Sequence, residues 1–393
     1  MKFFYLHDKL AFFKKRPLFY CFLLLNFGLF YIKYDGKTLI ITSKDNNNII
    51  KNLFKDVNIN YYAPLLFPTC FAQMILNEKF KAFKDLTMVN YDRNYFKTLD
   101  GGIISLDIIH YNNIQSSLES NLLKFKDKLY YVINKNLNNI NVDNSRGKVI
   151  LILHGLTGGS NSSYIKDIVH ELSAQIKSKN TKEDNTVIIC MNYRGVNNTP
   201  LINGNSYHMT STNDLDEVLH FISKIKYPNK KLHIIGTSMG ANLATFYASK
   251  YHEKIKEFNV KSLVCISSPF NIFQLEKENC YKYSILEWFL LNKWKNYVNN
   301  HYDVLKSDGR IDIDKILSSS VKTYRDFDKE FTCKLFNFKS PTSYYEHCST
   351  NKVIKDINIP GLFINSIDDI LSPIYSVDLS QCNYYTYKYY VII

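Results

Sequence analysis

The stretch Leu232-His233-Ile234-Ile235-Gly236-Thr237-Ser238-Met239-Gly240, running on into the helical periodicity of Ala241–Tyr251, decides how this chain folds. A short apolar run ends in a glycine, a serine stands two residues on, a second glycine follows, and a helical pattern begins. That order reads as strand, tight turn, helix. The motif G-x-S-x-G recurs by chance, and it is the strand before it and the helix after it that give it weight. In so sharp a turn, side chains at 236 and 240 would collide with backbone, so both positions are glycine. Ser238 is then held at the C-terminal edge of a sheet with its hydroxyl outward, which makes it the candidate nucleophile. The helix N-terminus behind it offers N–H groups and a positive dipole end to a developing oxyanion, with the Met239 N–H as one donor.

Outward from this turn the same rhythm repeats. Apolar runs at Val149–Leu153, Val187–Met191, Leu263–Ile266 and Leu362–Ile364 alternate with helical stretches at Tyr164–Ile176 and Leu215–Ile225. Strands alternating with helices imply crossover connections and a mostly parallel sheet flanked by helices. Their unbroken apolar character predicts strands buried on both faces. Upstream, Asp100-Gly101-Gly102 between two strand-like runs in Tyr91–Tyr111 predicts a β-hairpin. The rhythm breaks between Pro269 and Ile359. This stretch is rich in Tyr, Phe and Trp, and it reads as a helical cap of about residues 270–359 inserted over the site, with Phe270, Trp288 and Trp294 among its apolar residues. Residues 44–60 read as an Asn/Lys-rich linker and 134–147 as a surface loop.

Two further motifs carry chemistry. His154-Gly155-Leu156-Thr157-Gly158-Gly159 directly follows a strand, where the second oxyanion donor of such a site belongs. Gly155 lets the backbone approach a substrate carbonyl, and the Leu156 N–H pairs with that of Met239. His154 is expected to brace this loop by hydrogen bonds rather than act as a base. Asn365-Ser366-Ile367-Asp368-Asp369-Ile370-Leu371-Ser372-Pro373 follows a late strand, where an acid would orient a histidine. The Asp-x-x-x-Pro spacing favours Asp369, with Asp368 as the alternative.

Composition narrows the remaining choices. The chain has 393 residues, of which 46% are apolar, and this excludes general disorder. Its net charge of +13 is spread along the chain without a dense Lys/Arg run, so no nucleic-acid partner is expected. A positive surface suits an anionic membrane face equally well. The eight cysteines form no CxxC pair and no Cys/His cluster, so neither metal nor cofactor is expected and the thiols read as buried and free. Near the start, Lys14-Lys15-Arg16 precedes the apolar run Pro17–Ile32, a little short of the ~20 residues of a full span. No small-residue cleavage site follows, which argues against a signal peptide. The basic flank predicts a single-pass membrane anchor with a cytosolic N-terminus, the endoplasmic reticulum being one candidate membrane and a cytoplasmic location the alternative. The domain reading is thus 1–60 for anchor and linker and 61–393 for the catalytic domain.

Taken together these residues resemble the YheT-like branch of the α/β-hydrolase superfamily. The resemblance runs through Tyr91-Asp92-Arg93, Leu99-Asp100-Gly101-Gly102, His154 through Tyr164, Asn192-Tyr193-Arg194-Gly195, Pro200-Leu201, Gly236–Leu243, Ser268-Pro269-Phe270 and Asn365 through Pro373. It implies a Ser–Asp–His triad, no metal, and acyl-ester substrates, with glycerolipids or phospholipids for members anchored by an N-terminal helix. The sequence departs from the family in having His-Gly in the oxyanion loop, Met239, and Ile370 after the aspartates. The largest departure is at the C-terminal end, since the family's base lies beyond Asp369 and the last histidine here is His347. The expectation is an incomplete enzyme in which the final strand of the sheet is lost. The leading function is a carboxylic ester hydrolase acting through an acyl-enzyme on Ser238, with lipid esters, acylglycerols or phospholipids, as the expected substrate class. Acyl transfer to an alcohol uses the same intermediate, and a catalytically impaired membrane-associated binding protein is the competing class. Oligomeric state is left open.

Overall fold

The computed structural model describes residues 39–42, 89–110, 129–131, 142–179, 185–277, 284–366, 369, 371–372, 376 and 388–392. The proposed anchor at 17–32, the linker at 44–60 and Asp368 lie outside the described residues. No helix among the described residues is long and apolar enough to cross a membrane.

Among the described residues ten strands form one sheet. They are β1 (Leu39–Thr42), β2 (Asp92–Lys97), β3 (Ile103–His110), β4 (Leu129–Tyr131), β5 (Gly147–Leu153), β6 (Asn185–Asn192), β7 (Lys230–Thr237), β8 (Val260–Ile266), β9 (Gly361–Asn365) and β10 (Lys388–Ile392). Their spatial order is β1-β10-β9-β8-β7-β5-β6-β3-β2-β4. From β6 across to β10 every pairing is parallel, and β3 joins β6 antiparallel. The hairpin read from Asp100-Gly101-Gly102 is the antiparallel pair β2–β3.

Every apolar run named from the sequence is a strand, and the central ones behave as two-sided cores do. Val149, Leu151, Ile152 and Leu153 of β5 and Val187, Ile188 and Ile189 of β6 are buried. The expectation fails for β7, β8 and β9, where buried and half-buried residues alternate along the named runs. One face of these strands is only partly covered. The lost final strand is also corrected. Lys388–Ile392 (KYYVI) runs parallel to β9 and pairs antiparallel with β1, because its Tyr, Val and Ile are good strand formers whatever precedes them.

Helix α1 (Ser163–Lys179) follows the loop after β5, α2 (Thr212–His220) lies before β7, and α3 (Met239–Lys250) follows Ser238. The run Leu215–Ile225 is not one α-helix. After His220 it widens into a π turn, Phe221–Lys226, which buries Phe221, Ile222 and Ser223 together. Helix α3 is buried almost all round, including Met239, Ala241, Leu243, Ala244 and Tyr247, which makes it the central helix of the fold. Between residues 270 and 359 the chain is helical, with α4 (Ser284–Asn300) and α5 (Pro341–Cys348) its longer members.

Candidate active site

Ser238 follows β7 directly and begins α3, with φ 50° and ψ −114°. Side chains avoid that region of backbone space, and a residue is held there only when its surroundings dictate it. Here the surroundings are the two flanking glycines. A Cβ on Gly236 would lie 2.5 Å from the Gly240 oxygen, and one on Gly240 would lie 2.3 Å from the Leu153 oxygen. The end of β5 and the start of α3 therefore press on the turn with no room for side chains. The Ser238 N–H donates to the Ile266 carbonyl at 2.8 Å and the Ser238 carbonyl accepts the Asn242 N–H at 3.0 Å, which pins the residue from β8 and from the first turn of α3. Its side chain is half-buried, and no described residue hydrogen-bonds its hydroxyl.

The loop after β5 lies alongside. A Cβ on Gly155 would stand 3.3 Å from the Ser238 Cβ. The Gly158 N–H closes a turn onto the Gly155 carbonyl at 3.1 Å, with Thr157 at φ 51° inside it. No described acceptor takes up the N–H of Leu156 or Met239. His154 is fully engaged in bracing. Its Nδ1 donates to the Gly155 carbonyl at 2.7 Å, its Nε2 accepts the Tyr193 N–H at 3.4 Å, and the Tyr193 hydroxyl donates to its carbonyl at 3.1 Å. Burial pulls this imidazole down to about 4, so it stays neutral.

The far end of the loop is held by a buried polar cluster that draws Arg93, Ser160 and Asn192 from three of the motifs quoted above and adds Asp107 and Asn197. Asp107 on β3 takes a bidentate pair from Arg93 at 2.7 Å, the Asn192 amide at 2.9 Å and the Ser160 hydroxyl. Asn192 in turn accepts the Ser160 N–H at 2.8 Å and the Asn197 amide at 2.9 Å. Each member satisfies another, which is what a buried polar group requires. A second cluster, Arg194 with Asp100 and Asp214, ties the hairpin turn to α2.

Asp369 lies beyond the end of β9 and is buried. Its Oδ1 accepts the N–H groups of Leu371 at 2.8 Å and Ser372 at 3.0 Å. The Ser372 hydroxyl donates to the Ser267 carbonyl at 2.7 Å, and Ser267 is the residue after the Ile266 that holds the Ser238 N–H. A short run of hydrogen bonds thus links the acidic loop to the serine turn across the C-terminal ends of β8 and β9.

Neither His154 nor His347 is hydrogen-bonded to Ser238. His154 has both ring nitrogens occupied, as described. His347 on α5 packs against Phe246 and Phe338. Phe246 is two turns along α3 from Ser238, on the order of 10 Å at the helical rise. Cys190, Cys265, Cys333 and Cys348 are buried free thiols. Among the described residues no His/Cys/Asp/Glu group is arranged to hold a metal ion.

The helical stretch 270–359 rests on the loop after β6 and on α3. Tyr297 donates to the Arg194 carbonyl at 3.1 Å, His301 to the Gly195 carbonyl at 2.7 Å, and Asn242 of α3 to the Cys348 carbonyl at 3.1 Å. From His154 a column of rings runs into it. His154, Tyr193, Tyr207, Trp294, Phe327 and Phe331 are stacked or tilted on one another with centroid spacings of 4.1, 5.1, 5.4, 5.4 and 5.0 Å. Phe270 is buried against Phe363 of β9, whereas Trp288 points to solvent.

A parallel sheet with a serine turn at the C-terminal end of one strand and a glycine loop at the end of its neighbour defines a hydrolase-type α/β architecture. Residues 148–381 match the α/β-hydrolase fold family, and the chain belongs to it. Within the family it is similar to the Bos taurus protein named phospholipase ABHD3, at 29% identity over 74% of this chain and 62% of that protein. It is similar to the Saccharomyces cerevisiae monoacylglycerol lipase at 28% identity over 63% of this chain and 53% of that protein. The putative esterase YheT of Escherichia coli matches at 25% identity over 56% of this chain and 61% of that protein. These relatives agree with the YheT-like branch. In each case the match spans less than two thirds of the relative's own length.

Proposed function

We propose that this protein is a serine hydrolase of carboxylic esters, acting on lipid esters through an acyl-enzyme on Ser238. The observation that carries this reading is the backbone of Ser238 itself. A non-glycine residue is held at positive φ by two glycines that tolerate no side chain, with the Gly155 loop in van der Waals reach of its Cβ. In this reading the N–H groups of Leu156 and Met239 receive the oxyanion, and Asp369 is the acid of the triad. The Ser238 oxygen attacks the ester carbonyl, the alcohol leaves, and water then frees the acid. The names of the relatives, phospholipase and monoacylglycerol lipase, support lipid esters as the substrate class. Acyl transfer to an alcohol would use the same acyl-enzyme. We further propose that Pro17–Ile32, behind Lys14-Lys15-Arg16, anchors the chain to a membrane by a single pass.

The second reading, an impaired enzyme that binds without turning over, is favoured by one specific fact. No described side chain hydrogen-bonds the Ser238 hydroxyl to take its proton. An oxyanion hole and binding alone leave about 10³–10⁴-fold catalysis over water. A fluorophosphonate probe separates the two readings. The expected outcome is covalent labelling of the wild-type chain at Ser238, lost in Ser238→Ala, together with short-chain ester turnover that the same substitution abolishes. Turnover within a few-fold of wild type in Ser238→Ala would remove Ser238 from the mechanism. A wild-type chain inert to probe and ester alike would favour the binding protein.

A further inference from the structure

We propose that Tyr164 is a positioning residue for the oxyanion loop, its phenol oxygen fixing the His154–Gly155 peptide beside Ser238, one peptide before the Leu156 N–H. The inference rests on the reading of Ser238 and its loop given above. The Gly155 N–H donates to the Tyr164 hydroxyl oxygen at 2.9 Å. A Cβ on Gly155 would lie 3.2 Å from that oxygen, and one on Gly158 would lie 2.8 Å from it. The loop therefore wraps the phenol oxygen from two sides, and this wrapped turn is the one that touches the Ser238 side chain. The two glycines are small because the oxygen sits between them.

Packing does not account for a tyrosine at this position. Helix α1 buries Ile165 and Val169 and packs Ile168, Leu172 and Ile176 against the same cluster. The Tyr164 side chain itself stays more than a third exposed, and its hydroxyl accepts the Gly155 N–H. By occupying the Gly155 N–H, the phenol oxygen holds the His154–Gly155 peptide plane in one orientation, which fixes the Gly155 Cα from which the next peptide, with the Leu156 N–H, extends toward the oxyanion. Without the phenol oxygen the Gly155 N–H would lack an acceptor in a half-buried turn. The His154–Gly155 peptide would rotate to find one and displace the Gly155 Cα, and with it the Leu156 N–H. A misplacement of about 1 Å costs ~10²-fold in rate, close to the ~10²–10³-fold loss of an oxyanion donor outright.

Tyr164→Phe keeps the ring and removes only the oxygen. The experiment compares wild type, Tyr164→Phe and Ser238→Ala in full-length protein, using a short-chain p-nitrophenyl ester, fluorophosphonate labelling and thermal unfolding. The expected result for Tyr164→Phe is a fall in kcat of about 10- to 10²-fold with KM changed by less than about 3-fold. Labelling should slow in parallel, with Tm held within about 2 °C. A Tyr164→Phe protein with wild-type kcat, or one that loses Tm while keeping kcat, overturns the positioning role alone. If wild type and Ser238→Ala behave alike, the reading of the site fails and the role of Tyr164 fails with it.

Discussion

His154 keeps its proton on Nδ1 because a carbonyl faces that nitrogen, and it stays neutral because nothing at hand compensates a buried charge. Stability must therefore depend on pH. As pH falls from 6.5 to about 4, the unfolded chain takes up a proton at this residue and the folded chain does not. Folded stability then drops by on the order of 3 kcal/mol across that window. His208, pulled down to about 3 by burial and the neighbouring His347, acts in the same direction. Asp328 acts the other way. Burial pushes its carboxyl up from 3.8 to about 6, so the folded chain gains stability below that range and loses it as pH rises through 6. With two groups against one, Tm should fall on acidification from pH 7 to about 4.5. His154→Asn, whose amide can still donate to the Gly155 carbonyl, should flatten that fall by on the order of 5 °C. An unchanged slope in a thermal-unfolding series would show that His154 does not titrate as its burial dictates. At this scale the legible residues were those whose role follows from near neighbours in sequence. Ser238 is made by Gly236 and Gly240, and His154 by the strand before it. Asp107 was not legible as part of the site, because its partners come from separate elements that only the folded sheet brings together.

The aromatic column from His154 to Phe331 makes the insertion an extension of the core. Trp294 stands in its middle at 4% exposure, while Trp288, on the same helix, is 64% exposed. Trp294→Ala should cost about 3–5 kcal/mol, as truncation of a buried aromatic does, whereas Trp288→Ala should stay within about 0.5 kcal/mol. Denaturant titration of the two variants checks the contrast, and equal losses would mean that the column is not a cooperative part of the fold. From sequence both tryptophans belonged to one aromatic-rich stretch, and nothing in a broken helical rhythm told inner from outer. The five apolar runs were legible because a parallel strand buried on both faces needs little more than continuous apolar residues. The π turn at Phe221–Lys226 was not, since its apolar spacing mimics an ordinary helix. Strand β10 was not legible for a different reason, since KYYVI continues a Tyr-rich stretch with no change of pattern to mark where a strand begins.

For the molecule as a whole, the parallel strands gather the serine turn, the glycine loop and the acidic loop at one edge of the sheet. Pro17–Ile32 and the net charge of +13 offer two separate ways to meet a membrane. The full-length protein should remain in the membrane fraction through high salt and alkaline pH, and a variant lacking residues 17–32 should not. Release by salt alone would assign the attachment to charge, which salt screens within about 3 Å at 1 M. One further consequence follows from the backbone at Ser238. A side chain held in that conformation costs roughly 1–3 kcal/mol, which glycine would relieve. In a lineage selected only for a stable fold, mutation would therefore tend to replace this serine, while Gly236 and Gly240 would be kept by crowding. The position at which this chain tolerates strain is the one where drift toward glycine would have been easiest, and a serine there fits the nucleophile role proposed for its hydroxyl.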